Sequence, residues 1–266
     1  MSQKYNKLYA SIIVAVCTVS ILASSLIFNS SIANNIIKYF PILEKTKTST
    51  PFKFNEFVNA DTLYTLGTSW IEINLKSHTG TLHQKYEKNY IFRISAGTEK
   101  ISEGIETPEG IFLIRSKLKK TYSKQFDSTL LINWMGFSNG VGFHALSGNG
   151  YYYNLGKRNS SHGCIRVTKD DSAIIYDRVS LGTPVIVSKE GSAISVNFVD
   201  STDTYAYLSK SKLESEISRR LDLLYEGKYY SEQKEKLVID TKNIGHSGIS
   251  IGEVDKIPEK QIIPKK

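Results

Sequence analysis

Ile71-Glu72-Ile73-Asn74-Leu75 alternates apolar and polar at every step, the two-residue period of a strand with one face buried. Further strand-length apolar stretches follow at Tyr90-Ile91-Phe92-Arg93-Ile94, Gly110-Ile111-Phe112-Leu113-Ile114 and Leu130-Leu131-Ile132-Asn133-Trp134, then at Val141-Gly142-Phe143-His144 and Pro184-Val185-Ile186-Val187. Each is too short for a stable helix, and turn-like groups such as Ala96-Gly97 and Thr107-Pro108-Glu109 separate them. A mainly β fold is predicted, a compact β-sandwich or barrel-like domain. One short helix is expected after Thr168, where Asp170 and Asp171 favour a first turn.

The rest of the chain reads differently. Lys4 and Lys7 precede an uncharged run from Leu8 to Phe28, long enough to cross a bilayer core of ~30 Å as a helix. The flanking lysines favour a cytoplasmic N-terminus and an exported remainder on the outer side of the membrane. Two readings fit this run: a signal peptide cleaved near Ser31-Ile32-Ala33, or a retained membrane helix, which the length of the run favours. Residues 1–28 are thus a cytoplasmic stub with an anchor or signal, and residues 29–65 a polar linker around Glu44–Pro51. Residues 66–189 carry the strands. Residues 190–266 form a C-terminal extension, expected as a helix over about 205–226 followed by a flexible tail. Leu213, Ile217, Leu221 and Leu224 are spaced for one helical face.

Net charge is +8, carried by the front and middle: residues 189–266 hold 13 basic and 13 acidic side chains. Such a surface suits anionic partners. No lysine- and arginine-dense block interleaved with aromatics accompanies it, so no nucleic-acid partner is expected. The chain has two cysteines, and Cys17 lies inside the N-terminal apolar run. The exported part therefore carries one thiol, Cys164, which cannot form an internal disulfide.

Around that thiol the sequence is most informative. Gly142-Phe143-His144 ends a predicted strand; after sixteen intervening residues comes Ser161-His162-Gly163-Cys164-Ile165-Arg166. A protonated thiol is a poor nucleophile, with a free pKa of ~8.5, and needs a base beside it. Imidazole suits neutral pH best. Turn-like groups Ser147–Gly150 and Lys157–Ser160 let the chain return and set Cys164 beside His144. Gly163 would let the backbone bend and let amides near Gly163 and Cys164 face a developing oxyanion. Zinc held by His144, His162 and Cys164 is the competing reading. No paired-cysteine or acidic ligand motif supports it, and neither metal nor cofactor is expected.

His144, the sixteen-residue interval and Ser161-His162-Gly163-Cys164 together resemble the signature of the L,D-transpeptidase catalytic domain, the YkuD-like family. Thr107-Pro108-Glu109-Gly110 is similar to its Thr-Pro-x-Gly turn, and the likeness spans roughly residues 66–189. It implies a peptidoglycan transpeptidase in which Cys164 attacks a diamino-acid carbonyl of a tetrapeptide stem. His144 would take the thiol proton and later protonate the leaving D-alanine. By the same resemblance the Ala145 carbonyl would orient the imidazole, His162 would line the site and Gly163 would shape the oxyanion pocket. Ser161 would be structural. Arg166 would shape the pocket or meet a substrate carboxylate, with an internal salt bridge as the competing role. Peptidoglycan stems are the implied partner, and carbapenems are expected to capture Cys164. An L,D-carboxypeptidase, or a non-catalytic wall-binding module, remain alternatives on sequence alone.

Overall fold

The computed structural model describes residues 60–125, 128–259 and 261. The Leu8–Phe28 run and nearly all of the linker lie outside them. Among the described residues no helix is long and apolar enough to cross a membrane.

Three sheets and two short helices make the fold mainly β. The first sheet contains β1 (Asp61–Thr65), and a five-stranded sheet takes β2 (Ser69–Asn74), β3 (Thr79–Gln84), β4 (Tyr90–Arg93) and β5 (Gly110–Leu113). A third sheet is built from β6 (Ser116–Tyr122), β7 (Leu130–Ser138), β8 (Val141–Leu146) and β9 (Ile165–Arg166). Helix α1 (Lys169–Arg178) follows, with the Thr168 hydroxyl accepting from the Asp171 amide at its first turn. β10 (Pro184–Ser188) then enters the five-stranded sheet, whose order is β4-β3-β2-β10-β5. β11 (Ile194–Phe198) and β12 (Tyr205–Ala206) precede α2 (Lys210–Tyr225), and β13 (Lys236–Val238) follows it. These strands join β1 in an all-parallel sheet ordered β11-β1-β13-β12.

The five-stranded sheet is the middle layer. Ile71, Ile73, Leu82, Phe92, Phe112, Val185 and Val187 pack with Met135, Phe137, Phe143, Ile165 and Ile175 of the third sheet and α1. Its opposite face sends Trp70, Ile111, Leu113 and Ile186 into a second core with β1, β11, β13 and α2. Strands covered on both sides should read as unbroken apolar runs, and β5 and β10 do. Leu213, Ile217, Leu221 and Leu224 form the buried face of α2, as their spacing required.

Two sequence expectations need correction. The last five residues of the supposed linker are β1, with Leu63 fully buried. The expected flexible tail is built into the domain: β13 pairs with β1, and Ile249 exchanges both backbone hydrogen bonds with Ile111 (2.8 and 3.0 Å). Arg115 also donates to the carbonyls of Thr241 and Ile244. The helix begins at Lys210, because Tyr205 and Ala206 are already a strand.

Two local irregularities shape the third sheet. Asn139-Gly140, both at positive φ (29° and 85°), closes the β7–β8 hairpin. A register shift between Ile132 and Met135, with Asn133 at φ 53°, inserts one extra residue into β7. A bulge of this kind re-aims its neighbours, and Trp134 is the neighbour that lines the cleft described next.

Candidate active site

β8 and β9 run parallel, with Phe143 opposite Ile165 and His144 opposite Arg166. Strand alternation then decides which side chains meet. Phe143, Ile165 and Val167 point into the core, whereas His144, Arg166 and the residue two before it, Cys164, share the other face. Cys164 stands level with Gly142, diagonal to His144, which puts the two Cα positions about 8 Å apart on ordinary strand spacings. Gly142 has no side chain to intervene. Its amide hydrogen-bonds the sulfur, and Cys164 Sγ–H points weakly at the Gly140 carbonyl (3.8 Å).

Both residues line one cleft of about 530 Å³, together with His162, Gly163, Ser161, Arg166, Trp134 and Tyr122. Cys164 is half-buried and His144 is buried (4% exposed). The His144 Nδ1–H donates to the Ala145 carbonyl (3.2 Å), which leaves Nε2 as the acceptor. The Trp134 ring lies 6.2 Å from the imidazole, held by its Nε1–H donating to Ser116 Oγ (2.9 Å). Met135, by contrast, is core.

Ser161 is tied into the loop that carries Cys164. Its hydroxyl donates to the Cys164 carbonyl and accepts the Gly163 amide (3.2 Å), while its backbone bonds Ala96 and Thr98. The Gly163 amide, expected from sequence to face an oxyanion, is therefore engaged within the loop. Gly163 itself has φ +135° and lies against Gly97, where an added Cβ would come within 2.5 Å of the Gly163 Cα. The Gly163 carbonyl is taken by the hydroxyl of Thr107 (2.6 Å), a buried residue that sequence reading placed only in a turn.

Arg166 donates Nη1–H to the Ser160 carbonyl (3.1 Å), and its buried Nε has no hydrogen-bond partner. Among the described residues no carboxylate lies within salt-bridge distance of it, so none of them supplies the internal ion pair considered from sequence. His78 and His83 are engaged elsewhere, with Asn159 and Glu72. No group of three or more His, Cys, Asp or Glu among the described residues is disposed to hold a metal ion.

Burial dominates the electrostatics. It pushes the Cys164 thiol up, against the opposing pull of the Gly142 amide and the Arg166 charge. Burial also lowers His144 to about 4; the bond to Ala145 raises it partly, and Arg166 lowers it again. At neutral pH both groups are thus uncharged, with no stored ion pair, and the polar contacts of the sulfur are to the Gly140 carbonyl and the Gly142 amide, not to the imidazole. Because His144 is depressed in the folded state, the unfolded chain binds the extra proton between pH 6.5 and about 4. Stability contributed by neutral His144 is complete above pH 6.5 and is lost as pH falls through that window, by roughly 3 kcal/mol in all. Urea titrations from pH 7 to 4 should show this loss, and His144→Gln should flatten it. The acid limb of any His144-dependent activity should likewise fall near pH 4, not near 6.5.

Residues 68–187 match the family model of the L,D-transpeptidase catalytic domain, YkuD. Among solved structures the chain is similar to an L,D-transpeptidase from Mycobacterium smegmatis, with 24% identity and a TM-score of 0.40, over 46% of this chain and 58% of that one. It is similar also to L,D-transpeptidase 3 from Mycobacterium tuberculosis (18% identity, TM-score 0.40, 46% of this chain and 61% of that one). A third likeness is to an L,D-transpeptidase from Stackebrandtia nassauensis (22%, 0.38, 46% and 56%). The chain thus spans less than two thirds of each of these proteins. No curated protein matches it. Residues 68–187 of this chain are an L,D-transpeptidase catalytic domain of the YkuD family.

Proposed function

We propose that the chain is a cysteine-dependent peptidoglycan L,D-transpeptidase. The observation that carries this reading is the shared placement of Cys164, His144 and Arg166 on the cleft face of a domain of that family. As Sγ attacks the diamino-acid carbonyl of a tetrapeptide stem, its proton passes to His144 Nε2. The tetrahedral intermediate collapses with cleavage of the C–N bond to D-alanine, whose amine takes that proton and leaves, and a Cys164 thioester remains. An acceptor amine then gives a proton to His144 and attacks the thioester. The C–S bond breaks, a new amide forms, and the sulfur recovers its proton.

Both groups enter this cycle uncharged. His144 is available as a base across the neutral range, and the thiol is deprotonated only as it attacks. Arg166, a cation that lines the cleft and has no carboxylate in salt-bridge distance among the described residues, is suited to meet a carboxylate of the stem. A peptidoglycan substrate calls for a domain outside the cytoplasmic membrane, and the uncharged Leu8–Phe28 run agrees with this as either an export signal or a retained anchor.

The test is product analysis with purified disaccharide-tetrapeptide. Mass spectrometry should find a cross-linked dimer lacking one D-alanine. Disaccharide-tripeptide as the sole product would replace this reading with hydrolysis, and unchanged tetrapeptide would remove both.

A further inference from the structure

The peptide bond joining Gly163 to Cys164 is held from behind. We propose that Thr107 is a positioning residue for the chemistry at Cys164: its hydroxyl fixes the plane of that peptide and so aims the Cys164 amide at the oxygen of the carbonyl under attack. This inference rests on the acyl-transfer reading above.

The geometry runs through four backbone groups. The Gly163 amide is bound by Ser161 Oγ (3.2 Å), the Cys164 carbonyl accepts from the same hydroxyl, and the Gly163 carbonyl accepts from Thr107 Oγ1 (2.6 Å). The Cys164 amide makes no hydrogen bond to the described residues. In a planar trans peptide the carbonyl and the following N–H point in opposite directions. Thr107 is not part of the cleft wall, whereas Gly163 and Cys164 are. A Gly163 carbonyl drawn back to Thr107 therefore turns the Cys164 N–H towards the cleft.

Thr107 is fixed in turn. It is buried (2% exposed), its Oγ1 accepts the Gly97 amide (2.9 Å), and it stands three residues before β5. Gly97 also presses on the Gly163 backbone, so the loop has contact on the side away from substrate. A hydroxyl is needed because the position must accept from Gly97 and donate to Gly163 at once. Valine keeps the shape and loses both bonds; serine keeps both and loses only a methyl.

The probes are p-nitrophenyl acetate, which acylates a thiol through an oxyanion, and iodoacetamide, which alkylates it without one. Neither requires a peptidoglycan stem, so a failure of the stem assay stays separate from a failure here. In Thr107→Val the burst of p-nitrophenolate from Cys164 should slow about 100-fold, with iodoacetamide alkylation changed by no more than about twofold, the pattern of a misdirected oxyanion donor. Thr107→Ser should restore the burst, and the Cys164 amide resonance in a ¹⁵N-correlated spectrum should move in the valine variant and return in the serine one. A wild-type burst in Thr107→Val overturns the proposal, as does a parallel loss of acylation and alkylation. If the valine variant does not fold, a folded Thr107→Ser that has lost the burst overturns it equally.

Discussion

Cys164→Ala is expected to abolish acyl transfer while leaving the fold intact. The sulfur makes few demands on the structure: a weak contact to the Gly140 carbonyl at 3.8 Å and the Gly142 amide, in a half-open cleft. The anchors of the loop are elsewhere, in the Ser161 and Thr107 hydroxyls and the Gly97–Gly163 backbone contact. Truncation to a methyl group therefore removes the nucleophile without loosening what holds it. Turnover of disaccharide-tetrapeptide should fall by at least about 10⁴-fold, as expected when a covalent nucleophile is lost. The thermal midpoint should stay within a few degrees of wild type, the range of a change near 1 kcal/mol in a domain of this size. Retained turnover in the alanine variant would move the chemistry off Cys164. Unchanged wall binding with no turnover in either protein would instead mark a binding module.

The second large effect concerns residues 190–266. Cutting the chain after Lys189 keeps every residue of the family domain, yet a soluble 58–189 fragment is expected to lose cooperative folding. The reason is the far face of the middle sheet. Trp70, Ile111, Leu113 and Ile186 are at most 7% exposed only because α2 and the β1 sheet cover them. Baring such side chains costs roughly 1.5–3 kcal/mol each, and together this rivals the about 5–15 kcal/mol that holds an ordinary domain folded. The cut also strips Ile249 from the outer edge of β5, leaving an unpaired strand edge that invites association. Chemical denaturation of 58–189 against 58–266 checks this. A single sharp transition in the shorter fragment, with thiol reactivity retained, would show that the extension is dispensable.

That second effect was not legible from residues alone. The strands at Ile71, Tyr90, Gly110, Leu130, Val141 and Pro184 announced themselves because apolar side chains recur at strand spacing between turn residues. Helix α2 did so because its four leucine and isoleucine positions lie on one face. β6, with sequence Ser-Lys-Leu-Lys-Lys-Thr-Tyr, is an exposed edge strand and carries almost no burial signal. β1 sits at the end of a polar stretch, and its partners β11 and β13 come from about 130 and 170 residues further on, so no local period ties them together. Ile239, Ile244 and Ile249 follow neither helical nor strand spacing, yet all three are buried by docking onto distant elements.

The site divides in the same way. That Cys164 and His144 share a cleft, with the Ala145 carbonyl bonded to the imidazole, was readable because all three lie in two short motifs. Trp134 reaches the cleft through a bulge, and Thr107 reaches Gly163 across 56 residues of chain. Neither relation has a local spacing that a sequence could display. Gly163 was read correctly as a tight backbone position, but the partner of its amide, the Ser161 hydroxyl two residues earlier, emerges only from coordinates.

A carbapenem, an acyl donor that leaves a stable adduct, interrogates the sulfur and imidazole together. Folded protein should be incubated with the drug, digested, and the added mass located by peptide sequencing. The adduct should sit on Cys164 alone, should be absent from Cys164→Ala, and should form at least about 100-fold more slowly in His144→Ala, the usual cost of a lost general base. Modification at any other residue, or folded protein that stays unmodified, would mean that Cys164 and His144 do not form a working nucleophile and base.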